Sequence, residues 1–276
     1  PDETLPREIN PYRDVLPCPL YRTRISANPE DPSEMVVHSP SGYYIGSLHR
    51  DRLTLLHTRF HAAAADPAVD TERLNPGTFE EEIARLLLRY KDSSSSGTVK
   101  TKLANHWAVP AALMALFARF FSVRTERFAS PLNFCASTHT YYSAHERDIL
   151  FGATYDAYSC RWHGASQINP EYESDALRLA LAWATSATLC ADPVLTVAVV
   201  PHWNDKPHDR YRDYKMVTKL REIPRNKFSF LPPDQWTGTR QKTGTAKWAV
   251  DILLICNQQG LEAYGRDLPQ LQTELE

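Results

Sequence analysis

One stretch limits the folds open to this chain more than any other: a short apolar strand that ends in a turn and is followed by a helix and a second strand. The turn is Asn169-Pro170-Glu171-Tyr172, directly after Ser166-Gln167-Ile168. Apolar residues at helical spacing from Asp175 to Cys190 predict the helix, and Val194 to Val200 is typical of a strand that is covered on both faces. This order predicts a parallel sheet with Asn169 at the carboxyl end of a strand, where open α/β folds bind ligands.

The residue types of this turn suit the binding of a planar amino group. An exocyclic amine is a poor nucleophile, so it must be held and oriented. The Asn169 side-chain carbonyl and the Pro170 backbone carbonyl can each accept one N–H, and Tyr172 can stack on an extruded base. The pattern is typical of class I methyltransferases that act on planar amines, although Asn-Pro also occurs in ordinary turns. We predict Asn169, Pro170 and Tyr172 as the catalytic residues.

Composition favours a globular enzyme without a membrane span or a metal site. Of the 276 residues 42% are hydrophobic and 23% are charged, and no apolar run approaches the roughly 20 residues that a membrane helix needs. The five cysteines are scattered, without a Cys-x-x-Cys pair, which argues for a reducing compartment and against structural zinc or a disulfide framework. His57 and His61 have metal-like spacing, but no acidic or thiol ligand nearby completes a site.

The first 123 residues predict an amino-terminal, mainly helical domain. The proline-rich residues 1–34 predict an extended arm, and Ser93 to Gly97 predicts a linker. Between them we expect a hairpin and helices, and after the linker a buried helix. The predicted elements are strands at Met35–His38 and Tyr43–Ile45, a helix from Leu48 to Ala65, a helix to Tyr90 that begins with a Thr78/Glu81 capping box, and a buried helix within Val109–Phe121.

Residues 124–276 predict the α/β domain. A short strand at Thr125 runs into Ala129-Ser130-Pro131-Leu132-Asn133, and Asp148-Ile149-Leu150-Phe151-Gly152 is a second apolar segment. Ala246 to Cys256 predicts the last strand, followed after Gly260 by a short closing helix. No Gly-x-Gly-x-x-Gly fingerprint is present.

The stretch from residue 204 to residue 247 predicts a phosphate-facing surface. It holds eleven basic residues against five acidic ones, in a chain of net charge −2, with aromatic residues interleaved. A solvated loop is the alternative. The candidate RNA-binding residues are Lys206, Arg210, Arg212, Lys215, Lys219, Arg240 and Lys242.

Four segments taken together resemble the phosphorylated-CTD-interacting-factor family, the cap-specific adenosine N6-methyltransferases. They are Phe128 to Asn133, Asp148 to Gly152, the Asn169–Tyr172 turn and Val200-Pro201-His202-Trp203. The family's acceptor motif is Asn-Pro-Pro-Phe, so Tyr172 and especially Glu171 depart from it. Glu171 loosens the backbone and adds negative charge beside the site. We find no WW module, which some members of the family carry.

The resemblance implies a Rossmann-like class I methyltransferase domain beside the helical domain, with a groove for the capped 5′ end of RNA. It implies S-adenosylmethionine as cofactor, transcription or capping machinery as partners, and a nuclear location, although no targeting segment is visible. The implied cofactor-binding residues are Ala129, Ser130, Pro131, Asn133, Asp148, Phe151, Gly152 and Asn169.

Two other functions stay open from the sequence. Glu171 and the missing glycine-rich loop would also fit a methyltransferase-like module that no longer catalyses and serves as an RNA- or protein-binding scaffold. An active enzyme could instead modify another planar amine, such as internal RNA adenosine, DNA adenine or a protein glutamine amide.

Overall fold

A mixed α/β architecture with a seven-stranded, mostly parallel sheet organises the chain. The computed structural model describes residues 22–93, 107–203, 207–231, 244–265 and 268–275. In spatial order the strands of the sheet are β6-β5-β4-β7-β8-β12-β9. Their bounds are β4 Thr125–Glu126, β5 Thr140–Ser143, β6 Thr154–Tyr155, β7 Gly164–Ile168, β8 Val194–His202, β9 Val217–Ile223 and β12 Ala249–Cys256.

The order of the strands places a topological switch between β4 and β7. β12 is antiparallel to both β8 and β9, whereas β4 to β8 pair in parallel. From β4 the chain proceeds outward to β5 and β6 on one side and to β7 and β8 on the other. The carboxyl ends of β4 and β7 therefore border the crevice where ligands of doubly wound sheets bind. The arrangement is compatible with a Rossmann-like fold.

Helices cover both faces of the sheet. Helix α4, Ala111–Phe121, packs on one face, and helix α5, Ser174–Ala187, packs on the other. The first eight residues of β8 are buried, which confirms a strand covered on both faces. The helix predicted from Asp175 to Cys190 is confirmed as α5, which ends three residues earlier, at Ala187.

The front of the molecule is a small sheet with three helices. The strands are β1 Arg24–Ala27, β2 Glu34–His38 and β3 Tyr44–His49, in that spatial order, and the helices are α1 Arg50–Ala65, α2 Thr71–Leu74 and α3 Phe79–Ser93. The predicted hairpin is confirmed. Helix α1 begins two residues later than Leu48 because β3 continues through His49.

The capping box at the start of α3 is confirmed in both directions. The Thr78 backbone N–H donates to Glu81 Oε2 at 3.1 Å, and the Glu81 N–H donates to Thr78 Oγ1 at 3.3 Å. Two otherwise unpaired groups at the helix start are thus satisfied by local sequence alone.

The apolar cores cross the predicted division at residue 123. Leu132, Phe134 and Tyr141 pack into the core of the front lobe, while α4 packs into the core beneath β8 and β12. The boundary between residues 123 and 124 stays a prediction.

The carboxyl-terminal region contains two helices, one of which is the short closing helix predicted after Gly260, whereas the other was not predicted. They are α6 Gln258–Tyr264 and α7 Leu268–Glu274. Gly260 lies inside α6, and this position requires glycine because a Cβ atom there would come within 2.0 Å of the Val194 carbonyl oxygen. Asn257 caps α6 by accepting the Gly260 N–H at 2.7 Å.

The remaining elements are short. Strands β10 Ser229–Phe230 and β11 Gly244–Thr245 form a two-stranded ribbon, and short 3-10 helices occupy Glu146–Phe151, Ala157–Ser159 and Pro207–Asp213. Within the described residues, the helices lack the combined length and apolar character that crossing a membrane would need. Of the arm predicted at residues 1–34, residues 1–21 lie outside the described residues, but strand β1 lies within the remainder, so that part is not a separate arm because it pairs with β2. Residues 94–97 of the predicted linker also lie outside the described residues.

Candidate functional site

A cavity of about 460 Å³ opens at the carboxyl ends of β4, β5, β6 and β7. Its size falls in the range of small-molecule and cofactor sites. It lies at the topological switch of the sheet, as the strand order predicts. The residues that line it come from the segments after these strands and from α3 and the chain before α4; among them are Tyr90, Trp107, Ala129, Ser130, Asn133, Ser143, His145, Asp156, Asn169, Pro170 and Glu171.

Four of the eight candidate cofactor residues line this cavity: Ala129, Ser130, Asn133 and Asn169. The loop after β4 is shaped by its own polar side chains. Asn133 Oδ1 accepts the Ser130 N–H at 2.7 Å and the Ser130 hydroxyl at 2.9 Å. Because these side chains bind each other, the loop has a defined shape without glycine.

The other four candidates do not line the cavity. Phe151 is fully buried in the core of the front lobe. Gly152 ends a 3-10 helix with φ of 79°, a left-handed conformation that favours glycine. The Pro131 carbonyl faces Arg52 on α1 at 3.5 Å. Asp148 is fully buried behind the cavity wall.

Asp148 holds two residues that do line the cavity. Its carboxylate accepts the Tyr90 hydroxyl at 2.6 Å and the Ser143 hydroxyl, and it pairs with the Arg89 guanidinium. Arg89 and Tyr90 belong to α3, whereas Ser143 ends β5. The Asp148 carboxylate therefore fixes the front lobe against the sheet at the cavity. Burial raises the pKa of Tyr90 well above its usual 10, so this hydroxyl remains a donor.

The Asn169 side chain is held at both ends. Its Nδ2 donates to the Trp107 carbonyl at 2.7 Å, and its Oδ1 accepts the Tyr172 hydroxyl at 2.9 Å. A carbonyl oxygen only accepts, so the group that faces Trp107 must be the amide NH₂ and the amide orientation is determined. An amide oxygen has two lone pairs, so Oδ1 can accept a second hydrogen bond.

Tyr172 lies in an aromatic cluster and not among the residues that line the cavity. Its ring meets the rings of Trp203, Phe230 and Trp248 nearly at right angles, with centroid distances of 6.4, 5.7 and 5.7 Å. Burial raises the pKa of Tyr172 well above its usual 10. Its visible contact with the site is the hydrogen bond to Asn169.

Glu171 lies at the rim of the cavity beside Asn169. The residue is exposed over much of its surface, but partial burial of the carboxyl raises its pKa, and repulsion by Glu173 adds to the effect. Asp156 is a second acidic residue on the cavity wall. Against these two carboxyl groups the cavity wall holds the guanidinium of Arg127, so the acidic side chains outnumber the basic one and favour a ligand that carries positive charge.

Arg127 is a cavity residue that the sequence interpretation missed. It follows β4 directly and is only 3% exposed. Its guanidinium lies between the rings of Tyr142 and Trp162, at 4.8 and 5.2 Å from their centroids, and donates to the His163 carbonyl at 3.2 Å. Burial lowers its pKa. The available signal was its position directly after a predicted strand, at the carboxyl ends of the strands where ligands bind.

Tyr90 and Trp107 were missed for a different reason. Both line the cavity, yet they lie far from the motif in sequence and reach it only through the packing of the front lobe and of the chain before α4. No spacing rule within one segment predicts such a contact. Asp156, at the end of β6, was missed because that strand has only two residues.

The structure describes only part of the basic stretch, and one of the candidate RNA-binding residues, Arg212, forms ion pairs within the protein. Lys206, Arg240 and Lys242 lie outside the described residues. Arg212 pairs with Asp251 and Asp209 and donates to the Pro201 carbonyl at 3.1 Å. Since Asp251 is fully buried, the Arg212 charge neutralises an internal carboxylate.

The other described candidates of the stretch face solvent. Arg210 and Lys215 are exposed. Lys219 is also exposed and pairs with Glu222 at 2.8 Å, an arrangement worth little free energy.

One group of side chains has metal-like spacing among the described residues. The ligand-type atoms of His202, Glu222 and Asp251 lie within 4.8 Å of one another. His202 Nδ1 is 2.9 Å from Asp251 Oδ2, the atom that also accepts from Arg212. Cationic partners for the carboxylates are thus already present. The His57 and His61 rings contact each other, with 3.1 Å between their Nε2 atoms.

Comparison with known proteins gives one family. The chain matches no curated protein. The model of the family described as "Phosphorylated CTD interacting factor 1 WW domain" matches residues 56–229. These residues run from within α1 to the start of β10 and include the cavity, so the match is not confined to a short strand-rich unit. It covers well over half of the 276 residues, and the chain therefore belongs to the phosphorylated CTD interacting factor 1 family.

Proposed function

We propose that this protein transfers a methyl group from S-adenosylmethionine to N6 of the adenosine next to the cap of mRNA. The observation that carries the proposal is Asn169 on the wall of a nucleotide-sized cavity at the switch point of the sheet. Its carbonyl oxygen is oriented and has a free lone pair. Membership of the family hints at a cap-related function, and the strand order with one reversed strand is typical of class I methyltransferase domains.

The chemistry of the cavity fits this cofactor. Ala129, Ser130 and Asn133 form a close-fitting loop at the end of the first strand of the sheet, as ligand-binding loops of such sheets do. Asp156 and Glu171 supply negative charge that would attract a sulfonium ion. Aromatic walls, including Tyr90 and Tyr158, offer faces on which a purine can stack.

In the proposed mechanism, this chain orients the acceptor nitrogen. When bound, S-adenosylmethionine supplies the electrophilic methyl group. Asn169 Oδ1 and the Pro170 carbonyl accept the two N–H groups of the amine, so the nitrogen lone pair points along one direction. Orientation of this kind lowers the barrier because the reacting groups no longer have to find each other. The extra proton on the product nitrogen leaves to water.

The exposed basic residues are proposed to bind the phosphates of the capped RNA. Arg210, Lys215 and Lys219 are the described candidates, with Lys206, Arg240 and Lys242 beside them in sequence. Contacts of this type neutralise phosphate charge and release counterions, so RNA affinity should fall steeply as salt increases. Arg212 would contribute by stabilising the surface from within.

Methyl transfer to short defined RNAs tests the function. The RNAs begin with adenosine or guanosine and are capped or uncapped, and the product is identified by mass spectrometry as N6-methyladenosine. We expect transfer to capped RNA that begins with adenosine. Asn169→Ala should reduce kcat by on the order of 100-fold while affinity for S-adenosylhomocysteine changes little. Gln259→Ala, which removes an exposed amide, is the control.

Two outcomes would change the assignment. Full activity of Asn169→Ala would exclude Asn169 as the acceptor-site residue. Binding of both cofactor and capped RNA without any transfer would favour the non-catalytic scaffold, for which the negative charge of Glu171 beside the site is the supporting observation. Equal transfer to uncapped RNA or to DNA would point to another planar amine as the substrate.

A further inference from the structure

The turn that carries Asn169 is closed by a side-chain hydrogen bond. The Tyr172 hydroxyl donates to Asn169 Oδ1 at 2.9 Å, so the bond spans three residues. Together with the bond from Nδ2 to the Trp107 carbonyl at 2.7 Å, it fixes both ends of the amide. One lone pair of Oδ1 is used by Tyr172, and the other is left for an incoming N–H.

The Tyr172 hydroxyl is itself held in place. Three aromatic rings, those of Trp203, Phe230 and Trp248, contact the Tyr172 ring edge to face. Such contacts restrict the ring to one orientation. Burial keeps the hydroxyl protonated, since its pKa lies well above 10. It is therefore a hydrogen-bond donor at neutral pH.

Of the two residues between Asn169 and Tyr172, one has a backbone that no proline ring restricts. Pro170 restricts its own φ angle and the conformation of Asn169 before it. Glu171 carries no such restriction, and within the described residues its N–H makes no backbone hydrogen bond. A turn with one unrestricted residue holds its side chains less firmly unless another contact closes it.

We infer that Tyr172 is a positioning residue whose hydroxyl closes the Asn169–Tyr172 turn and aims Asn169 Oδ1 at the acceptor amine, in place of a backbone restraint at position 171. This inference rests on the proposed methyl transfer. The positioning role depends on the Tyr172 hydroxyl, which a phenylalanine would lack. The effect of losing this hydroxyl should therefore depend on which residue occupies position 171.

Kinetics of four proteins test this interdependence: the wild type, Tyr172→Phe, Glu171→Pro and the double variant, which carries the family motif Asn-Pro-Pro-Phe. Loss of one hydrogen bond predicts that Tyr172→Phe lowers kcat by about tenfold. The KM for S-adenosylmethionine should change less than about twofold, because the hydroxyl does not line the cavity. In the Glu171→Pro background the same change should cost less than about threefold, since proline restrains the turn.

Tyr44→Phe is the matched control, because it removes a hydroxyl that bonds to Ser47 at 3.2 Å in the front lobe. It should leave kcat unchanged. Equal kcat for the wild type and Tyr172→Phe, or an equal loss in both backgrounds, would overturn the inference.

A structural readout separates this inference from the proposed function. Crystal structures of the wild type and Tyr172→Phe should show one Asn169 conformer in the first, and a displaced or doubled conformer in the second. An unchanged Asn169 in Tyr172→Phe would refute the positioning role whether or not the protein methylates RNA. A wild type that transfers methyl to no acceptor would refute the proposed function, and the two crystal structures would still decide the role of Tyr172.

Discussion

Glu126 makes the stability of this protein dependent on pH. The residue ends β4, lies beside Gln167 of β7, and is 7% exposed. Burial raises the pKa of its carboxyl from the usual 4.5 to about 7, although the Cys135 N–H and the charge of Arg52 partly oppose the effect. The folded protein therefore holds a proton here that the unfolded chain releases above about pH 4.5.

The sign and size of the effect follow from this difference. Between about pH 4.5 and 7 the folded state binds more protons at Glu126 than the unfolded state, so the free energy of unfolding falls as pH rises. One pKa unit corresponds to about 1.4 kcal/mol, so the full loss is about 3 kcal/mol and is complete above about pH 8. Glu126→Gln keeps an acceptor for the Cys135 N–H and removes the titration.

Urea unfolding of the wild type and Glu126→Gln at pH 5, 6, 7 and 8 tests the reasoning. The stability of the variant relative to the wild type should rise by about 2.5 kcal/mol from pH 5 to pH 8, because part of the full loss has already occurred at pH 5. Glu30→Gln, at an exposed position, should follow the wild type throughout. A constant difference between Glu126→Gln and the wild type over this pH range would show that Glu126 is ionised in the folded protein and would refute the argument.

Three further substitutions test individual contacts. Asp148→Asn removes a buried charge that holds two cavity residues. Calorimetry should show weaker S-adenosylhomocysteine binding, and urea unfolding should show that the free energy of unfolding falls by about 3 kcal/mol. Unchanged values in both assays would contradict the role of Asp148 in holding Tyr90 and Ser143. Gly244→Ala places a Cβ atom 2.9 Å from two ring atoms of Trp107. Since the Trp107 carbonyl holds the side-chain amide of Asn169, kcat should fall while cofactor affinity is retained. An unaltered kcat would count against a link between Trp107 and the orientation of Asn169. Arg212→Ala leaves Asp251 buried without its guanidinium partner, so urea unfolding should show a loss of about 3 kcal/mol; a loss of RNA affinity at unchanged stability would instead mark Arg212 as a phosphate contact.

Local sequence signals predicted the elements that depend on local physics. The strand, turn, helix and strand around Asn169 are as expected, because a run rich in apolar, β-branched residues favours a strand and apolar residues at helical spacing favour a helix. The Thr78/Glu81 capping box is formed because both of its hydrogen bonds lie within four residues. The hairpin before α1 is formed for the same reason.

What the sequence could not predict depends on contacts between distant segments. Strands β4 and β6 have two residues each, too few for any periodic pattern. The apolar helix α4 could have packed in either lobe, since its composition does not choose between two cores. Arg212 looked like a phosphate ligand because the buried Asp251 that it neutralises is 39 residues away in sequence.

The sequence predicted the central residues of the candidate site but not the more distant residues that line the cavity. Asn169 and Pro170 line the cavity, as their position at a strand end implies. Asp148, expected to touch the cofactor, instead holds Tyr90 and Ser143 from behind. Buried networks of this kind require the fold before their members can be named.

A crystal structure of the protein with S-adenosylhomocysteine tests the central claim most directly. We expect the ligand in the cavity at the ends of β4 to β7, in contact with Ser130 and Asn133, with its sulfur directed toward Asn169 and Pro170. A ligand bound elsewhere, or no binding at millimolar concentration by a folded sample, would contradict the claim that this cavity is a methyl-transfer site.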